Sequence, residues 1–164
     1  MVAVRHNPRL SVLLTEDRDR PDEHWTRQLP RLLQPLGCEA TVAATGTQAL
    51  DLARNHPYHA AVIDLATPTG QPSTQPASPS TPGGLWLLQV LNRLPRKPPV
   101  IVVNPHAYSQ RQVARFLNQA LQLGAFSVLN HPVDLNHLLA TIARLIQRYH
   151  QGQWPNDTNL APGQ

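Results

Sequence analysis

Hydrophobic residues in this chain fall into short dense runs, separated by longer stretches in which they recur every three or four positions. The run 11–15, Ser-Val-Leu-Leu-Thr, predicts a strand and ends in the acidic pair Glu16-Asp17. From 22 onward Trp25, Leu29, Leu32, Leu33 and Leu36 keep helical spacing up to Gly37, a residue suited to ending a helix. Pro30 falls inside that helix and is expected to bend it or delay its start. Residues 38–44, with β-branched Thr41 and Val42, predict a weaker strand, and Thr45-Gly46 opens a second helix through Ala49, Leu50, Leu52 and Ala53 to Asn55. The run 59–63, bounded by Pro57 and Pro68, suits a strand buried on both faces, with Asp64 at its carboxyl end.

Beyond it, 84–94 predicts an apolar helix stopped by Pro95, and 100–103, Val-Ile-Val-Val, a strand ending at Asn104-Pro105. Residues 110–123 predict a long helix with Val113, Phe116, Leu117, Ala120 and Leu121 on one face, ended by Gly124. A short strand over 125–129 ends at Asn130-His131-Pro132, and a final helix over 134–149 carries Leu135, Leu138, Leu139, Ile142, Leu145 and Ile146 as its apolar stripe. Strand followed by helix, repeated along the whole chain, implies a parallel sheet between two helix layers. The expected fold is therefore a three-layer α/β domain. Glu16-Asp17, Asp64, Asn104 and His131 then all fall at carboxyl ends of strands, the edge at which open α/β sheets bind ligands. Four separate strands aiming polar groups at one edge point to a shared site.

Composition narrows this without changing it. A length of 164 residues suits one domain, here 10–150, with a polar lead-in over 1–9 and a tail over 151–164 expected to be disordered. The stretch 67–84 differs from its surroundings: it holds five prolines with Ser, Thr and Gln, no charge and no large apolar residue. Such a composition buries too little surface to offset ordering entropy and predicts a flexible insertion loop. The formal net charge is +4, carried by scattered Arg with Lys97 as the one lysine, so no nucleic-acid-binding arm is indicated. The single Cys38 rules out an internal disulfide and any multi-cysteine zinc site, which fits a reducing compartment and hence the cytoplasm. No segment reaches the length of a membrane span, and the first residues lack the apolar core of a signal peptide.

Over about 10–149 the chain resembles the receiver domain of bacterial two-component response regulators. The resemblance rests on Leu14-Thr15-Glu16-Asp17, on Asp64-Leu65-Ala66-Thr67-Pro68, on Gly84-Leu85 opening the third helix, and on Gly124-Ala125 with His131-Pro132 around the fifth strand. It implies a five-stranded parallel sheet in the flavodoxin-like order 2-1-3-4-5. It also implies that Asp64 accepts a phosphoryl group from a histidine kinase or phosphotransfer protein. Glu16, Asp17 and Asp64, with the backbone carbonyl of Ala66, would hold magnesium, a hard cation that prefers such oxygen ligands. Output would pass through contacts with a downstream protein, and the family suggests a homodimer face on the fourth and fifth strands and the helices that follow them.

The departures are equally specific. Asn104 stands where receivers place Ser or Thr, His131 where they place Lys, and Val128 where they place a mobile aromatic residue. The insertion 67–84 is roughly a dozen residues longer than the family needs at that connection. Asn104 retains an amide donor, and His131 is cationic when protonated. Three functions therefore stand open, in this order: a stand-alone receiver in a phosphorelay, with no enzymatic activity of its own; a phosphorylation-independent pseudo-receiver that serves as a binding module; and a magnesium-dependent phosphohydrolase-like enzyme using Asp64 as nucleophile. Against the last, Ala66 stands where a general acid would be expected.

Overall fold

The computed structural model describes residues 10–17, 24–70, 82–104 and 109–150. The lead-in 1–9, the tail 151–164 and the middle of the insertion, 71–81, lie outside the described residues. Five strands, β1 (Leu10–Thr15), β2 (Cys38–Ala43), β3 (Ala60–Asp64), β4 (Val100–Val103) and β5 (Ser127–Leu129), alternate with α1 (His24–Leu33), α2 (Gly46–Asn55), α3 (Gly83–Leu91), α4 (Gln110–Gln122) and α5 (Leu135–Tyr149). All pairings are parallel and the sheet order is β2-β1-β3-β4-β5, as the resemblance implies.

Side chains on successive strand residues point to opposite faces, and this splits the core into two layers. Val12 and Leu14 of β1, Ala60 and Val62 of β3, and Ile101 and Val103 of β4 pack with Trp25, Leu29 and Leu33 of α1 and with Leu138, Ile142, Leu145 and Ile146 of α5. Their neighbours Leu13, Ala61, Ile63, Val100 and Val102 face the other way, onto Leu50 of α2, Leu85, Leu87, Leu88 and Leu91 of α3, and Phe116 of α4. Every residue of β3 and β4 is buried. Each fully buried Leu or Ile contributes roughly 1.5–3 kcal/mol of transfer free energy, so the two layers together fix the sheet's position against the helices on both faces.

Local chemistry sets the boundaries. α1 accommodates Pro30 within its length and gives way to a 3-10 turn, Gln34–Leu36, before Gly37 ends it at φ 77°. β2 stops at Ala43 because the Ala44 N–H turns to the Gln48 side chain, while the Thr45 side chain caps the Gln48 N–H. β5 starts at Ser127, two residues later than the apolar run predicts. The Ala125 N–H is taken by Ala120 O at the end of α4, around Gly124 at φ 91°, so Ala125 belongs to the helix ending and not to the ladder. Ser109 with Gln112 forms a capping box on α4, and Asp134 caps α5 through the N–H groups of Asn136 and His137.

The first residues of the insertion, expected to be flexible, are held in place. The Pro68 and Thr69 carbonyls accept the N–H groups of Gly46 and Thr47 at 2.8 and 2.9 Å. The first turn of a helix has N–H groups without intrahelical acceptors, and this stretch of chain supplies them. No helix among the described residues is long and apolar enough to cross a membrane.

Candidate functional site

Parallel strands that all end at one edge bring their terminal residues into a shared region, and here that region centres on Asp64. It is the last residue of β3 and is 0% exposed. Its Oδ1 accepts the Ala66 N–H at 2.9 Å, while Oδ2 is buried and accepts no hydrogen bond among the described residues. The His131 side chain is 6% exposed, and its Nε2 stands 3.6 Å from that Oδ2. This is ion-pair distance and too long for a hydrogen bond. His131 lies two residues beyond β5 and precedes a cis peptide bond to Pro132.

Asn104 follows β4 directly, with its N–H on Leu129 O at 2.9 Å. Its side-chain Nδ2 donates to Oδ1 of Asn130, and its own Oδ1 is buried and accepts no hydrogen bond among the described residues. Glu16 and Asp17 follow β1, Asp17 at 7% exposure, and the Glu16 N–H bonds to Ala43 O at 3.2 Å. Thus the structure brings Asp64 and His131 together, ties Asn104 sideways to Asn130, and leaves the acidic pair at the same edge. At Ala66 the group in use is the N–H, bonded to Asp64 Oδ1.

The donor set suits a hard cation in kind, since a buried carboxylate oxygen without a hydrogen-bond donor lies at the same edge as two further carboxylates. Among the described residues, however, no group of three or more His, Cys, Asp or Glu side chains is gathered closely enough to hold a metal ion. Glu16 and Asp17 would have to close on Asp64 to do so.

Two residues absent from the expected set lie directly beneath Asp64. Thr15, the last residue of β1, is 0% exposed and accepts the Asp64 N–H at 3.0 Å and the Thr67 hydroxyl at 2.8 Å on its Oγ1. Thr67 is equally buried. A hydroxyl at the end of an apolar run was visible in the sequence, but its partners lie 49 and 52 positions away and local pattern does not find them.

Solved structures decide what this arrangement belongs to. A CheY-like receiver domain from Methanospirillum hungatei superposes with a TM-score of 0.64 at 22% identity, over 87% of this chain and 97% of its own. The receiver domain of HemR from Leptospira biflexa gives 0.62 at 23% identity, over 84% and 94%. A sensor protein from Polaromonas sp. JS666 gives 0.61 at 26% identity, over 87% and 99%. The chain has the response regulator receiver fold. No family model and no curated protein sequence matches it. In the receiver fold the edge holding Asp64, Asn104 and His131 is the carboxyl end of strands three to five, where the sequence placed them.

Proposed function

We propose that this chain is a phosphorelay receiver that takes a phosphoryl group onto Asp64 and passes the signal on through protein contacts. One observation carries the reading: a fully buried carboxylate at the end of β3 with one oxygen tied down and the other, Oδ2, accepting no hydrogen bond. Leaving a buried acceptor without a donor is destabilising by about 1–3 kcal/mol, and such groups persist where a site uses them. The phosphoryl donor would be a phosphohistidine on a histidine kinase or phosphotransfer protein. Oδ2 attacks phosphorus, a P–O bond forms as the donor's P–N bond breaks, and the imidazole leaves with the bonding pair and takes up a proton from solvent. Charge spreads over the phosphoryl oxygens during transfer and needs fixed positive partners. His131, when protonated, offers one at the oxygen that reacts.

Glu16, Asp17 and Asp64, with the Ala66 carbonyl, are the oxygen donors that would hold magnesium. Bound there, magnesium would neutralise charge on the transferring group. The same reading puts the protein in the cytoplasm, with a downstream protein as its target and a second copy of the chain as a candidate partner through β4, β5 and the helices after them.

A second reading, a pseudo-receiver that binds partners without being phosphorylated, has its own support. The Asn104 amide nitrogen is directed at Asn130, and its acceptor oxygen is the atom left without a partner, so the site lacks the hydroxyl donor of ordinary receivers. Incubation with acetyl phosphate and magnesium, read by intact mass, separates the two. The expected result is one phosphoryl adduct on the parent and none on Asp64→Asn. An unmodified parent, also inert to a phosphorylated phosphotransfer protein, leaves the binding module as the function.

A further inference from the structure

From the hydrogen bonds below Asp64 we infer that the Thr15 hydroxyl is a positioning group: it fixes the turn after β3 so that Oδ1 of Asp64 is held and Oδ2 is presented. The functional part of this inference rests on the phosphoacceptor reading of Asp64; the structural part does not.

The β1–β3 ladder supplies the first observation. Its registered pairs run Val12 with Ala60, Leu13 with Ala61 and Leu14 with Val62, and there they stop. The Asp64 N–H still faces β1, in a fully buried place, and a backbone N–H buried without a partner is destabilising. Thr15 Oγ1 takes it at 3.0 Å, so a side chain continues the ladder where the main chain leaves off.

The second observation is that the same oxygen receives the far end of the turn. Thr67 donates its hydroxyl to Thr15 Oγ1 at 2.8 Å, and its N–H closes the turn onto Asp64 O at 3.1 Å. Both ends of the four-residue segment from Asp64 to Thr67 therefore hang on one atom. Between them lies Ala66, whose N–H holds Asp64 Oδ1 at 2.9 Å. With the ends fixed the Ala66 N–H is fixed, and with it the rotation of the carboxylate. Oδ2 is then the oxygen that faces His131 Nε2 at 3.6 Å. Preorganisation of this kind speeds a transfer because a reacting atom held in place needs no reordering at the moment of reaction.

The third observation extends the arrangement to α3. A Cβ added at Gly83 would lie 2.0 Å from Thr67 O, and one at Gly84 would lie 2.3 Å from Asp64 O. The helix start is packed directly on the turn that Thr15 holds. The start of α3 and the turn that sets the carboxylate's geometry are therefore in direct backbone contact.

The test compares Thr15→Val, which keeps the shape and removes the hydroxyl, with Thr15→Ser, which keeps the hydroxyl. Two readouts are taken on the folded full chain: the rate of phosphoryl capture from acetyl phosphate with magnesium, and amide hydrogen exchange at Asp64 and Ala66 by NMR. Thr15→Val is expected to slow capture about tenfold, the fold-change matching a hydrogen bond near the upper end of the usual net range. Exchange at Ala66 should rise by a similar factor, and Thr15→Ser should restore both towards the parent. A general loss of packing would affect Thr15→Ser as well, because it lacks the methyl group. If Thr15→Val fails to fold, Thr67→Val removes the second donor to the same oxygen and is read in the same two ways. Should the parent prove inert to phosphodonors, the phosphoacceptor reading fails and the exchange data alone decide. Unchanged Ala66 exchange in Thr15→Val, or in Thr67→Val where that variant stands in, overturns the positioning role.

Discussion

At position 59 a half-buried histidine closes a seam at the sheet edge opposite Asp64. Its Nδ1 accepts the Ser11 N–H at 3.1 Å, and its carbonyl meets Nε2 of His150 at 2.9 Å, the two rings lying 4.8 Å apart. Burial first, and then the neighbouring His150, lowers the His59 pKa from its ordinary 6.5. As pH falls, the unfolded chain therefore takes up the proton before the folded one. The contribution of His59 to stability is complete above 6.5 and is lost as pH drops from there towards the lowered folded value. His59→Asn keeps an acceptor for Ser11 and removes the titration. Thermal unfolding followed from neutral to mildly acid pH should show a shallower decline for this variant than for the parent. Equal slopes would place the acid sensitivity in groups other than His59. The places of Asp64 and His131 at the carboxyl edge were legible in the sequence, because each ends or follows a distinct apolar run. Thr15, Thr67 and Asn130 were not, since a hydroxyl or amide reveals its role only through a partner on another strand.

Among the elements, the strand and helix order was legible almost throughout because hydrophobic period is a local property. The errors lie at ends, where a single hydrogen bond outweighs the pattern. Ala125 was assigned to a strand by its apolar neighbours, yet its N–H completes the end of α4. Pro30, expected to bend α1 or delay its start, lies inside a helix that runs from His24 to Leu33. Burial of Trp25, Leu29 and Leu33 on one face supplies what the lost backbone bond withholds. The packing at the start of α3 can be tested directly. A methyl group at Gly84 would meet backbone of Asp64 and Leu65 at 2.3 and 2.5 Å, and neither can move without shifting β3. At Gly37 the added methyl meets nothing within 4 Å, and the whole cost is the left-handed backbone at φ 77°. Overpacking costs roughly 1–3 kcal/mol, and more where the atoms met are backbone that cannot give way, against roughly 1–2 kcal/mol for an alanine forced to positive φ. Urea unfolding should therefore rank Gly84→Ala below Gly37→Ala in stability. The reverse order would mean that α3 slides freely over the turn, and the link from Asp64 to this helix would be lost with it.

For the molecule as a whole, the sheet is the one layer that both halves of the core share, so whatever binds at its carboxyl edge acts on the entire domain. The α1 and α5 side meets β1, β3 and β4 through Val12, Val62 and Ile101, and the α2, α3 and α4 side meets them through Leu13, Ile63 and Val102. A ligand that binds only the folded state raises the stability of such a cooperative unit by mass action, whatever its direct contacts. Magnesium is the informative ligand, because Glu16 and Asp17 share the edge with Asp64, yet no three acid or imidazole side chains among the described residues already enclose a metal position. Binding should therefore be weak and should draw the ends of β1 and β3 together. At ten times its dissociation constant the metal would add about 1.4 kcal/mol. For a chain of this size that raises the unfolding midpoint by roughly 3–6 °C. Asp17→Asn and Asp64→Asn should each abolish most of the shift, while His59→Asn, at the opposite edge, should keep it. An Asp17→Asn variant that responds to magnesium as the parent does would place the metal somewhere other than the ends of β1 and β3.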